Sequence, residues 1–207
     1  MFLESKISTS NRSNTERIGT DADHEEKLSD QSLWALFKQG DELAFVSIYN
    51  DYANMLYSYG CQFSSDKEIV KDCLQDFFLY LRKNREGFGN TTSIKLYLLK
   101  AFRRRVIDYL KKESRERHIH ENFAFSEFSV QLSSESIYIH RQIEAEKLAK
   151  LNKALESLTS SEREAIYYFY YQGLSYAQIA EIFNFTHVSS ARRLMYRGLS
   201  HLREFLQ

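Results

Sequence analysis

Apolar residues recur three and four apart along most of the chain, the spacing of one face of a helix. The clearest case is residues 174–203, LSYAQIAEIFNFTHVSSARRLMYRGLSHLR. Ile179, Ala180 and Phe183 share one side of a short helix over 176–183. Asn184 then stands where a turn needs a residue that tolerates positive φ. A second helix is expected from about His187, with Val188, Ala191, Met195, Leu199 and Leu202 as its inward stripe. The small Ala180 lets the two helices cross closely, as a helix-turn-helix requires. The outward face carries His187, Ser189, Ser190, Arg192, Arg193, Tyr196 and Arg197, with no acid from His187 to Arg203. Short hydroxyls and arginines on a presented helix suit a major groove, where Arg reads guanine edges or clamps phosphates. The plainer alternative is the solvated cationic face of a helical hairpin.

The same periodicity predicts helices upstream. One covers about 29–39 (Leu33, Leu36, Phe37) and ends at Gly40 in the usual C′ position. Asp41 caps the next, whose Ala44, Ile48, Tyr52, Met55 and Tyr59 lie at core spacing. In a third, over 66–83, Val70, Cys73, Leu74, Phe77 and Leu81 suffice for packing. Its opposite side holds Asp72, Gln75, Asp76 and Leu79, spaced i, i+3, i+4 and i+7. A leucine among carboxylates and an amide, turned from the core, fits a protein contact with a polar rim; an ordinary acidic face with one stray leucine is the alternative.

Residues 84–93, NREGFGNTTS, form a loop with Phe88 between two glycines, either a staple or a platform on which a base stacks. A helix over 94–112 buries Leu98, Phe102, Val106 and Tyr109 and carries Lys100, Arg103, Arg104 and Lys111 outward. Periodicity fades over 113–140, an expected linker whose Phe123, Phe125 and Phe128 hint at docking. Helical spacing returns at Ile143, Leu148, Leu151 and Leu155. Thr159 or Ser160 then caps a helix closed by Gly173.

The 207 residues accommodate one large or two small domains, and the absence of proline with only 7 glycines favours long helices. Formal net charge is zero, so nucleic-acid contact must come from local patches. Lys95 to Arg117 is such a patch, with nine Lys/Arg against three acids. Cys61 and Cys73 form no disulfide framework, and the first residues lack a signal-peptide pattern, so a cytoplasmic protein is expected. No phosphate loop, nucleophile elbow, HExxH or CxxC occurs. His118, His120 and the two cysteines lack metal-ligand spacing. The expectation is therefore no enzyme, no metal, no cofactor and no small-molecule substrate.

Taken in order, VKDCLQDFFLYLRK, the loop, SIKLYLLKAFRRRVIDYLKK, the linker and the C-terminal helix-turn-helix resemble an extracytoplasmic-function (group 4) sigma factor of bacterial RNA polymerase, in the sigma-70 family. The D-x-x-Q-[ED]-x-F pattern from Asp72 to Phe78 carries the likeness, and the SAR-x-L-x-YR wording resembles members of Bacteroidetes type. The resemblance implies an all-α protein of two small helical domains joined by a linker. It divides the chain into an arm (1–27), region 2 (28–112), linker (113–140) and region 4 (141–207). It implies a transcription initiation factor whose Asp72, Gln75, Asp76 and Leu79 dock on the β′ coiled coil of polymerase core, with further contact to β. Phe88, Asn90, Tyr97, Lys100, Arg103 and Arg104 would capture the -10 strand. His187, Ser189, Ser190, Arg192, Arg193, Tyr196 and Arg197 would read the -35 duplex of promoter DNA. An anti-sigma factor is the implied inhibitory partner. Tyr97 stands where the family usually has Trp and Arg104 where it usually has Asn, while Asp108 matches. The competing readings are a stand-alone helix-turn-helix regulator with an N-terminal dimerisation or sensor domain, and a helical adaptor that binds protein only. The regulator leaves the Asp72–Leu79 face unexplained; the acid-free face counts against the adaptor.

Overall fold

The computed structural model describes residues 28–116, 128–130 and 145–206, which hold eight α-helices and no strand. The expectations for residues 1–27, for Phe123 and Phe125, and for His118 and His120 lie outside these residues.

Local chemistry sets the helix ends. α1 (Asp30–Gln39) starts at Ser29, whose side chain accepts from Ser32 N–H, and stops at Gly40 with φ 97°. α2 (Glu42–Gly60) and α3 (Lys67–Lys83) are capped by the carboxylates of Asp41 and Asp66. A short 3₁₀ turn, Arg85–Gly87, precedes α4 (Ile94–Glu116). In the C-terminal half, α5 (Ala145–Glu156) leads to α6 (Ser160–Tyr170), which opens with a Thr159/Glu162 capping box. α7 (Tyr176–Ile182) and α8 (Val188–Leu206) follow, with Asn184 at φ 55° in the turn between them.

The inward residues of α3 are buried as expected, and Ile69 and Phe78 join them. Gly60 lies so close to α3 and α4 that a Cβ there would stand 2.7 Å from Val70 Cγ1. Burial pushes the Cys73 thiol up to about 12, making it an inert core filler. In α8 Ala191 and Met195 are buried, and Leu199 and Leu202 pack half-buried against the core, as expected; Leu194 and Gly198 join them, while Val188 is corrected to 41% exposed. The bare Cα side of Gly198 meets Ile166 and Glu162, letting α8 lie close on α6.

The two halves do not hang on a loose tether. Phe128 is fully buried against the rings of Tyr59, Phe63 and Tyr167. Ser129 N–H donates to Gln62 carbonyl oxygen at 2.7 Å, and Phe128 N–H donates to Ser160 Oγ at 3.1 Å. Arg163, itself buried, donates to Phe128 carbonyl oxygen, to the carbonyl of Glu156 at the end of α5 and to that of Leu158 just beyond it. A buried aromatic whose backbone groups are paired on both sides holds 128–130 in the crevice between the halves. The hint of docking from Phe128 is met.

Candidate functional site

Asp72, Gln75, Asp76 and Leu79 are all exposed along α3, with Leu79 55% accessible. α2 also exposes Leu43 (81%), Val46 and Tyr49, which the sequence reading missed. These three stand off the Ala44–Ile48 stripe and were detectable as apolar residues left over from the core. Tyr49, Leu74, Gln75, Phe78, Leu79 and Arg82 line a shallow groove between α2 and α3. Apolar floor and charged margins give it the make-up of a protein-docking surface.

The loop before α4 is braced by α1. Trp34, 1% exposed, donates its indole N–H to Gly89 carbonyl oxygen at 2.9 Å. Lys38 Nζ donates to Asn90 Oδ1 at 3.1 Å, and Asp30 Oδ2 accepts from Ile94 N–H at 2.8 Å, capping α4. Phe88 is half-buried, its ring set among Trp34, Tyr80 and Tyr97. Tyr97 packs on Trp34 with ring centroids 4.7 Å apart. Gln31, Trp34, Ala35, Asn90, Thr91 and Thr92 line a hollow beside this cluster. Neither Trp34 nor Gln31 was among the expected site residues, because their partners lie some fifty residues downstream and no local periodicity links them.

Along α4 the expected cations divide. Arg104 is largely exposed, its nearest partner Asp108 one turn on, at 4.0 Å. Lys95, Lys100 and Arg103 instead face the C-terminal half. Lys95 Nζ donates to Gln172 carbonyl oxygen at 2.6 Å, and its burial lowers its pKa. Lys100 Nζ lies 3.4 Å from Glu181 Oε1. Arg103 makes a two-pronged pair with Glu164, Nε to Oε1 at 2.7 Å and Nη2 to Oε2 at 2.9 Å. Burial works against the guanidinium charge, and the Glu164 carboxylate outweighs it. Tyr59 and Tyr168 hydroxyls also donate to Glu164 Oε1, at 2.6 and 2.8 Å.

His187, just before α8, and Ser189, Arg192, Arg193 and Tyr196 on it are exposed, with Ser190 half-buried. Arg192 sits over the Tyr176 ring, 5.7 Å from its centroid. Arg197 differs: its Nε donates to Glu162 Oε1 at 2.5 Å, and His201 Nδ1 lies 3.3 Å from Oε2. Glu162 is fully buried by side-chain area, and desolvation disfavours its charge. The Thr159 N–H and the Arg197 guanidinium more than offset this, so its pKa falls below the ordinary carboxylate value. Arg197 thus pins α8 to α6. We expect Glu162→Gln to cost about 2 kcal/mol at neutral pH. Because the folded pKa is depressed, Glu162 stabilises above the unfolded carboxylate pKa and loses that effect as pH falls through the folded value. Urea melts at pH 7 and pH 3 check this; an unchanged difference between wild type and variant at the two pH values contradicts it.

Among the described residues no cluster of His, Cys, Asp or Glu could hold a metal ion, and no helix is long and apolar enough to cross a membrane. What the described residues present is an apolar groove with charged margins between α2 and α3 and an exposed cationic face on α8, while Lys95, Lys100 and Arg103 of α4 are turned to the C-terminal half.

The sequence profile of Sigma-70 region 2 matches residues 48–116, and that of Sigma-70, region 4 matches residues 148–202, together more than half of the chain. The chain is 24% identical over 156 residues to the ECF RNA polymerase sigma factor SigM of Bacillus subtilis (strain 168), covering 75% of this chain and 91% of that protein. It is 25% identical over 169 residues to the ECF RNA polymerase sigma factor SigK of Mycolicibacterium vanbaalenii, covering 81% and 84%. Similar solved folds include CnrH in complex with the cytosolic domain of CnrY (TM-score 0.58, 18% identity, 86% of this chain and 96% of that one). A second is the sigma factor RpoE in complex with the anti-sigma factor NepR from Bartonella quintana (TM-score 0.58, 19% identity, 78% and 96%). With both domain profiles in chain order on an all-α fold, this protein belongs to the sigma-70 family as an RNA polymerase sigma factor of the extracytoplasmic-function kind, a non-catalytic transcription initiation factor.

Proposed function

We propose how this chain divides the work of a sigma factor among its surfaces. Residues 28–112 form the core-binding and -10 module and residues 141–207 the -35 module, with 1–27 an arm and 113–140 a connection. Asp72, Gln75, Asp76 and Leu79, joined by Leu43, Val46 and Tyr49, dock on the β′ coiled coil, while the -35 module adds contact to β. Asn90, Tyr97, Lys100, Arg103 and Arg104 hold the -10 non-template strand, and Phe88 shapes the loop that captures a flipped base. His187, Ser189, Ser190, Arg192, Arg193 and Tyr196 read the -35 duplex; Arg197 contributes through its hold on α6. An anti-sigma protein is the fitting inhibitor, a reading supported by the likeness to RpoE in complex with the anti-sigma factor NepR; on this chain it would cover 72–79 and 187–197. The SAR-x-L-x-YR wording of α8 supports a member of Bacteroidetes type.

The observation that carries the strand-capture reading is the braced loop. Pulling a base from the duplex costs a few kcal/mol, so the receiving site must be preshaped. Three bonds from α1 hold Gly89, Asn90 and the start of α4 in place before any DNA arrives. Stacking and a cationic track then grip the strand. The test is Trp34→Phe, which keeps the aromatic packing and removes the donor to Gly89. With core enzyme on a responsive promoter, permanganate reactivity of unpaired -10 thymines should fall about tenfold, a loss of about 1.4 kcal/mol. Core binding and -35 protection should remain. Undiminished melting overturns the brace; loss of core binding as well would mean a general folding defect.

A further inference from the structure

Two of the expected -10 cations, Lys100 and Arg103, and their neighbour Lys95 already have partners, and those partners come from the other half of the chain. Glu164 of α6 takes Arg103 with two parallel bonds, a geometry that carboxylate and phosphate share. The Phe183 ring lies under the same guanidinium, 5.1 Å from its carbon. Glu181 meets Lys100, and the Gln172 carbonyl meets Lys95. An anionic group with an aromatic ring beside it is what a nucleotide presents to a single-strand track.

We propose that the α6–α7 face is an intramolecular stand-in for the non-template strand, so that the free protein masks its own -10 track. The proposal rests on the reading of α4 as that track. Glu164 takes the place of a phosphate and Phe183 that of a base. Tyr59 and Tyr168 aim their hydroxyls at Glu164, fixing it to face Arg103. Phe128 with its neighbours closes the crevice behind them. The same side chains cannot hold Glu164 and a phosphate at once, so closure and strand binding exclude each other. The exchange is practicable because a buried ion pair contributes little net stability, desolvation offsetting most of its attraction. Core docking at the exposed α2–α3 groove would leave the latch accessible, and separating the halves along the polymerase would break it. Apparent affinity for the strand is the intrinsic affinity reduced by the open fraction.

The ion pair between Lys100 and Glu181 makes closure measurable, since a carbodiimide joins such a pair as an amide. In the free wild-type chain the Lys100–Glu181 cross-link should be found by peptide mass spectrometry, and it should vanish in the transcribing holoenzyme. Glu164→Gln keeps the size of the side chain and removes its charge. It should lose the cross-link and bind a mixed-sequence single-stranded DNA dodecamer about tenfold tighter than wild type. Absence of the cross-link in the free chain, or its persistence in the holoenzyme, overturns masking while leaving core-dependent transcription intact. The wild-type measurements decide this even where Glu164→Gln folds poorly. A well-folded Glu164→Gln that loses the cross-link yet gains no affinity overturns the stand-in by showing that α4 is no strand track.

Discussion

Asp76→Arg should abolish binding to RNA polymerase core and leave the protein folded. Asp76 is exposed on α3, beside Asp72, Gln75 and Leu79, and opposite the buried Val70, Cys73 and Phe77. Replacing it removes no packing from the core. At a docked interface the substitution sets a guanidinium where the partner met a carboxylate, and mismatched charge costs several kcal/mol. Several kcal/mol corresponds to a loss of a thousandfold or so in affinity. Leu79→Ala should be milder, about 1–2 kcal/mol, as the truncation of one apolar anchor. Tyr49→Ala should weaken the same complex, because its exposed side chain lines the same groove. Pull-down with core enzyme checks this, with circular dichroism and melting to confirm the fold. Retained core affinity in folded Asp76→Arg would remove the docking surface from α3.

The second large effect is expected at α8. Arg192 and Arg193 lie exposed in its early turns, while Arg197 is committed to Glu162. Arg192→Ala with Arg193→Ala should therefore lose promoter use without a drop in melting temperature. A base contact contributes about 1–3 kcal/mol of discrimination, so two together correspond to a loss of roughly thirtyfold to twenty-thousandfold. Arg197→Ala should lower the melting temperature instead, since it leaves the buried Glu162 carboxylate short of a partner. The salt dependence separates the roles of the first two. Removing an arginine that holds a phosphate flattens the slope by about one and weakens all sequences alike; removing one that reads a base relaxes preference at one position. Promoter-specific transcription that survives the double substitution would remove α8 from -35 reading.

What the chain showed in advance was its local chemistry. Gly40, Asp41, Gly173 and Asn184 act within a few residues of themselves, and each sits in the structure where its backbone preference places it. The outward face of α3 was legible for the same reason: Leu79 lies off a helical stripe complete without it. What stayed hidden were pairings between distant segments. Trp34 with Gly89, Arg103 with Glu164, Arg197 with Glu162 and Phe128 with Tyr59 each join residues at least thirty-five apart. Periodicity says which side of a helix is apolar, and nothing about which distant carboxylate an arginine meets. The α8 stripe was legible except at its N-terminal end and at Gly198, where spacing alone gave the glycine no weight although it lies against α6. Arg103 and Arg197 were therefore grouped with exposed cations, although one meets α6 across the two halves and the other secures the -35 module.

The most direct measurement is transcription by purified polymerase core on a library of promoter fragments, with and without the full-length chain. The account predicts initiation at discrete start sites that appear only with the chain, share -35 and -10 sequence elements, and disappear with Asp76→Arg. Specific duplex binding by the free chain as tight as that of the chain with core, and no new start sites when core is present, would contradict it and favour a stand-alone helix-turn-helix regulator.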